Sequence, residues 1–345
     1  MKLLEGKVAI VTGAGGGLGR AHALALAAEG AKLVVNDVGV ARDGSGGGTS
    51  MAEAVVAEIR KAGGTAVANT DSVSDAESAE RIVQTALKNF GRLDILVNNA
   101  GILRDKTLAK MENDEWRSVI AVHLDGTFYC GRAAARYMKD NNVAGRIVNT
   151  TSYAGLVGNF GQSNYGAAKS GIAGLTRVWA LELSKYGIAV NAVAPMAKTR
   201  MTDDIEAVPA EFKAEHVAPV VVFLAGDLAK DVNGKILGVH GRHLFEYKTV
   251  LTPGVKKESD WTAREISEKL GAICGETAAA PAKADTLPEK IKQAFLLMEK
   301  AFTSEKAKGW NATLHFVVDG ADNYTILVTP EKASVQSGLA GTPTC

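Results

Sequence analysis

The sequence predicts an α/β protein: a doubly wound parallel sheet in a three-layer α/β/α arrangement, followed by a small α+β extension. Three observations predict this. Short apolar runs alternate with helix-length segments through roughly the first 240 residues, as successive βαβ units do. The first run passes straight into Thr12-Gly-Ala-Gly-Gly-Gly-Leu-Gly19, a glycine-rich turn set between a strand and a helix. Past Gly275 the composition turns alanine-rich and a different pattern begins.

Taken in order, Val8–Val11, Lys32–Asn36, Ala66–Asn69, Ile95–Asn98, Arg146–Thr150, Ile188–Val193 and Lys235–Val239 read as strands, most of them apolar enough to be buried on both faces. Between them Ala21–Glu29, Ala52–Lys61, Ala76–Asn89, Asp114–Asn141, Tyr165–Tyr186 and Ala214–Leu228 have helical length and cover the two faces. The stretch 241–275 carries no readable motif. Gly275-Glu-Thr-Ala-Ala-Ala-Pro-Ala-Lys-Ala284 has little large apolar surface to bury and reads as a linker. Beyond it Ile291, Phe295, Met298 and Phe302 fall on one helical face, and Thr313–Val318 and Tyr324–Val328 read as strands joined by a turn through Asp319–Asn323. The expected organisation is a domain over 1–274, a linker over 275–288 and a small segment over 289–345.

Composition narrows the function. With 39 Lys plus Arg against 38 Asp plus Glu, the net charge of +1 supplies no field for nucleic acid or an anionic membrane. No apolar run approaches the roughly 20 residues that span a bilayer, so a soluble protein is expected. The three cysteines, Cys130, Cys274 and Cys345, lack metal-ligand spacing, and free thiols in a reducing compartment follow. No metal site is expected. Neither a secretory leader nor a C-terminal peroxisomal tripeptide is present, and the compartment expected is the cytoplasm for a bacterial chain and the peroxisome for a eukaryotic one.

Gly13, Gly17 and Gly19 allow a tight turn and let backbone N–H groups approach a pyrophosphate at a helix N-terminus. Asp37 closes the second strand, where a carboxylate accepts from ribose hydroxyls and repels a 2′-phosphate, so NAD is favoured over NADP. Asn98-Asn-Ala-Gly101 ends the fourth strand at the sheet edge where ligands bind. Ser152 follows the fifth strand, and Tyr165 and Lys169 lie four apart on one helical face, close enough for the lysine charge to lower the phenol pKa.

These four motifs, in this order, resemble the short-chain dehydrogenase/reductase family over about the first 240 residues. The resemblance implies a Rossmann fold in which Tyr165 is the general base for alcohol oxidation and the general acid for ketone reduction. Ser152 would hold the substrate oxygen, while Lys169 would bind the nicotinamide ribose and hold down the tyrosine pKa. It further implies that Leu18, Ala100 and Gly101 border the cofactor, Asp71 contacts adenine, Asn98 the adenosine ribose, and Pro195 and Thr199 the nicotinamide carboxamide. Two departures stand out. His123 replaces the usual relay asparagine and joins the catalytic set, and Met196 replaces the glycine that commonly follows the proline.

The insertion Gly39–Gly48, Gly101-Ile-Leu-Arg-Asp105, His123 and Gly158-Asn-Phe-Gly-Gln-Ser-Asn-Tyr165 are similar to the (3R)-hydroxyacyl-CoA dehydrogenase region of the peroxisomal multifunctional enzymes of type 2 and their bacterial relatives. That implies NAD-dependent conversion of (3R)-3-hydroxyacyl-CoA to 3-ketoacyl-CoA in fatty-acid β-oxidation. Acyl-carrier-protein 3-oxoacyl reductases and hydroxysteroid dehydrogenases share most of these motifs, so an acyl-thioester or lipid substrate is the partner expected, and a homodimer or homotetramer the assembly. The tail resembles the opening of a sterol-carrier-protein type 2 domain, which keeps open a lipid-binding function in that segment.

Overall fold

The computed structural model describes residues 2–48, 50–199, 209–275, 312–316, 324–329 and 333–337. The chain divides into two compact units, residues 1–249 and 250–345. This division falls earlier than the boundary at 274 suggested by the sequence.

The first unit is an eight-stranded sheet in the order β3-β2-β1-β4-β5-β6-β7-β8. Its strands are β1 (Val8–Thr12), β2 (Lys32–Asn36), β3 (Thr65–Asn69), β4 (Ile95–Asn98), β5 (Arg146–Thr150), β6 (Ala189–Met196), β7 (Ile236–His240) and β8 (His243–Glu246). The first seven run parallel, and β8 pairs antiparallel with β7. Alternation along the strands feeds two cores. Ala9, Val11, Leu33, Val35, Ile95 and Val97 pack with α1 (Gly17–Ala28), α2 (Ser50–Lys61) and α8 (Ala218–Ala225). Val8, Ile10, Val34, Leu96 and Ile147 face α3 (Ala76–Phe90), α5 (Gly126–Asp140) and α7 (Ser163–Leu183). Order reverses at β1, which lies between β2 and β4, and opens a crevice at the carboxyl ends of the strands.

All seven predicted strands are present. Several boundaries differ for local reasons. The first helix starts at Gly17, inside the glycine turn. The helix expected over 114–141 is α4 (Asn113–Ile120), one π turn at Ala121–Asp125, and α5. The segment 214–228 breaks into a 3₁₀ turn, α8 and a second 3₁₀ turn, because Gly226 takes an extended conformation (φ −101°, ψ 174°). A four-residue α6 (Tyr153–Leu156) and strand β8 are too short to show periodicity.

The second unit holds α9 (Ala263–Ile273), opened by a capping box in which Thr262 and Glu265 exchange bonds. It also holds an antiparallel sheet, β11-β10-β9, formed by β9 (Ala312–Phe316), β10 (Tyr324–Val328) and β11 (Ala333–Ser337). Both tail strands expected from the sequence are there, and β11 is additional. The linker, the amphipathic helix over 291–302 and the turn over 319–323 lie outside the described residues.

Candidate active site

A cleft of about 860 Å³ opens at the carboxyl edge of the sheet. One end is the glycine turn. A Cβ on Gly19 would stand 2.1 Å from the Gly13 carbonyl oxygen, so only glycine lets helix α1 leave β1 at this angle. Helix α1 begins on Gly16 with no side-chain cap and no acidic residue in its first turn. Its first N–H groups are therefore donors at the positive end of a helix, the environment a pyrophosphate requires. Asn99 fixes the turn by donating through Nδ2 to the carbonyls of Thr12 and Gly13 (3.0 Å each), while the Thr12 hydroxyl accepts the N–H groups of Asn99 and Ala100.

Asp37 stands beside this turn. Its Oδ2 accepts the Gly15 N–H and its Oδ1 the Gly39 N–H, both at 2.7 Å. The carboxylate is thus locked in place, where it can accept from ribose hydroxyls and opposes added phosphate charge. The insertion that follows is a small hairpin, bridged at Val40 and Gly46, and Arg42, Asp43 and Gly44 from it line the cleft.

At the other end Ser152, Tyr165 and Lys169 meet. Ser152 follows β5 and caps α6, its hydroxyl accepting the Ala154 N–H. The Ser152 side chain acts on the Tyr165 phenol, favouring its ionised form. Lys169, one turn along α7, is buried; its Nζ donates to the Thr150 carbonyl (2.6 Å) and lies 5.6 Å from the Tyr165 ring centre. Burial lowers the Lys169 pKa to about 7. The Tyr165 pKa departs from expectation. Burial pushes the phenol up, the Ser152 side chain pulls it down, and the negative charge of Asp105 raises it again. Lysine does not dominate here, because its own charge is weakened by burial and its ammonium group points at a carbonyl.

His123 occupies the π turn, buried against Gly101, where a Cβ would fall 2.2 Å from the ring. Its Nε2 lies 3.0 Å from the Ile102 nitrogen and 2.8 Å from the Ile102 oxygen, accepting from one or donating to the other according to tautomer. The ring meets Tyr165 edge-on at 5.2 Å. Burial, with the Lys169 charge, lowers its pKa to about 3, so it is neutral.

Gly13, Gly17, Leu18, Gly19, Asp37, Ala100, Gly101, His123, Ser152, Tyr165, Lys169, Pro195 and Thr199 all line this one cleft. Asp71 and Asn98 do not. The Asp71 carboxylate accepts from Arg81 and Asn69, and neighbouring Ser72 and Ser74 reach the wall instead. Asn98 donates to Asn149, which donates to Thr176, a buried tie between β4, β5 and α7. Arg42 from the insertion also lines the wall, as do Tyr153 and Gln162, which gave no sequence signal of their own although Gln162 lies in the 158–165 motif.

A parallel sheet with a glycine turn at its switch point and a Ser-Tyr-Lys set across the cleft defines an oxidoreductase of the nicotinamide-binding class. The chain belongs to the short chain dehydrogenase family, whose pattern matches residues 7–210. It is 51% identical over 240 residues to a short-chain type dehydrogenase/reductase of Mycobacterium tuberculosis, covering 69% of this chain and 83% of that protein. It is 44% identical over 275 residues to the peroxisomal multifunctional enzyme type 2 of Mus musculus, covering 78% of this chain and 37% of that protein. The chain thus matches well under half of the mouse enzyme. A crystal structure of a short chain dehydrogenase from Mycobacterium avium superposes with a TM-score of 0.71 at 46% identity, over 80% of this chain and 96% of the other.

Proposed function

We propose that the protein oxidises (3R)-3-hydroxyacyl-CoA thioesters to 3-ketoacyl-CoA with NAD as hydride acceptor. The observation that carries the reading is that Ser152, Tyr165 and Lys169 line one cleft with the Asp37-flanked glycine turn. A likeness of 45% identity over 253 residues to a hydroxyacyl-CoA dehydrogenase of Mycobacterium tuberculosis supports the thioester. The uncapped first turn of α1 and the glycine cradle would hold the pyrophosphate, Asp37 the adenosine ribose, and Lys169 the nicotinamide ribose. The nicotinamide ring, when bound, supplies hydride acceptance or donation.

The residues then divide the work. Ser152 holds the substrate oxygen through its hydroxyl. Tyr165 Oη takes the hydroxyl proton as the carbinol hydrogen leaves with its electron pair, and returns it in the reverse direction. His123, neutral and fixed to Ile102, keeps Gly101 and the cleft wall beside the phenol.

The test is NADH formation from NAD with (R)-3-hydroxyacyl-CoA of short, medium and long chain, with the (S) enantiomers and NADP in parallel. (R)-selective, NAD-selective turnover is expected. Tyr165→Phe should lower it by about 10²–10⁴-fold, the contribution of one acid–base group, and leave NADH binding intact. Wild-type turnover on a 3-ketosteroid or an acyl-carrier-protein thioester alone would replace the CoA ester. Loss of NADH binding in Tyr165→Phe would overturn the assignment of the tyrosine.

A further inference from the structure

The catalytic tyrosine is held from behind by its own neighbour. Asn164 is 0% exposed and sits in the first turn of α7. Its Nδ2 donates to the carbonyls of Arg104 (2.9 Å) and Glu115 (3.0 Å), and its Oδ1 accepts the backbone N–H of Tyr165 (2.7 Å). Both amide hydrogens are used and the oxygen is engaged, so this buried side chain has one orientation only. The bond to Tyr165 also matters for the helix. Gln162, the residue before α7, makes no side-chain cap, and Asn164 satisfies one of the first-turn donors from inside.

The partners of Asn164 form a strap. Arg104 belongs to the segment 102–106, and that segment is pinned along its length. Ile102 is bound by His123, Leu103 donates its N–H to the Arg42 carbonyl (2.9 Å), Asp105 accepts from Gln162 Nε2 (2.7 Å), and Lys106 bridges to Gln162. The far side of the catalytic helix start is closed by α4 through Glu115. Tyr165 therefore sits on a turn clamped between two elements, while its ring meets His123 edge-on.

We propose that Asn164 is a positioning residue for the reaction: by joining the backbones of Arg104, Glu115 and Tyr165 it sets the direction from which the phenol meets Ser152. The proposal rests on the reading of Tyr165 as the group that moves the proton. A shift of the phenol by about 1 Å costs on the order of 10²-fold in rate, so a peg of this kind has a measurable effect on catalysis.

The experiment compares wild type, Asn164→Ala and Gln162→Ala in the full chain. Turnover, NADH binding by fluorescence and hydrogen exchange of the amides over 162–168 are measured together. Asn164→Ala removes one donor from each of two part-buried carbonyls, so Gln162→Ala, which loosens the same turn and leaves those bonds in place, is carried beside it. Faster exchange over 162–168, an approximately 10²-fold lower kcat for Asn164→Ala, a smaller fall for Gln162→Ala and unchanged NADH binding are expected. Unchanged exchange, unchanged kcat with faster exchange, or NADH binding that falls in step with kcat would each overturn the proposal. A wild-type protein inactive on the thioester would mark failure of the substrate reading, and the exchange measurement would then decide the peg by itself.

Discussion

At Tyr165 two physical demands compete. The phenol must be buried to meet substrate away from water, and burial raises its pKa. The tyrosinate needed for alcohol oxidation is scarce at neutral pH as a result, whereas the phenol needed for ketone reduction is fully present. Oxidation should therefore accelerate as pH rises from 7 to 9, and reduction should not. Lys169, held at about 7, loses its charge over the same range, which keeps the rise below tenfold per unit. Initial rates in both directions across this range are the check; an oxidation rate flat with pH would contradict the burial argument. At this scale the sequence was legible where a residue's chemistry and spacing suffice, as for Ser152, Tyr165 and Lys169. Partners were not legible: the Asp71 carboxylate accepts from Arg81 and Asn69, and the Asn98 amide donates to Asn149. Asn164 gave no signal of its own, since two of its three bonds reach residues about 50 and 60 positions away.

Elements meet the cleft through their ends, and each end depends on one or two residues. Gly19 is the sharpest case. A methyl group there would sit 2.1 Å from the Gly13 oxygen, a rigid backbone atom, so the turn and α1 must move apart. Gly19→Ala should abolish NADH binding and lower stability by about 1–3 kcal/mol, checked by fluorescence titration and urea unfolding. Binding within a few-fold of wild type would show that the turn relaxes freely. The π turn at Ala121–Asp125 works in the same local way. One extra residue in the helix brings the His123 ring onto Ile102 and leaves the α5 face of Cys130, Ala134 and Met138 in the core. The length of 114–141 predicted a continuous helix, and a single π turn within it leaves that length unchanged. Strand β8 and α6 stayed illegible for the opposite reason, too few residues to set a period.

For the molecule as a whole, burial of neutral histidines sets the response to acid. His22 is 0% exposed in α1, and neither ring nitrogen has a hydrogen-bond partner among the described residues. Burial lowers its pKa to about 4. Its folded pKa lies below the unfolded value, so the unfolded chain binds the proton first, and the stability held above pH 6.5 drains away as pH falls toward 4. The loss from this residue is about 3 kcal/mol, and His123 adds to it with the same sign. Urea midpoints at pH 7 and pH 4.5 should differ accordingly, and His22→Leu should narrow the gap at little cost at pH 7, since no hydrogen bond is lost. An unaltered gap would place the acid sensitivity elsewhere. The strands and the two-faced core were readable over the first unit because parallel strands buried on both sides advertise themselves. The second unit offered fewer cues: α9 buries no residue, and its capping box went unread. The hairpin over 39–48 closes on itself, with the Gly48 N–H bonded to the Val38 carbonyl at 3.0 Å. Its two ends meet where it leaves the sheet. Such a loop is a detachable module, one that gene rearrangement can lengthen, shorten or exchange, reshaping the wall of the cleft at Arg42, Asp43 and Gly44 while β2 and α2 keep their places.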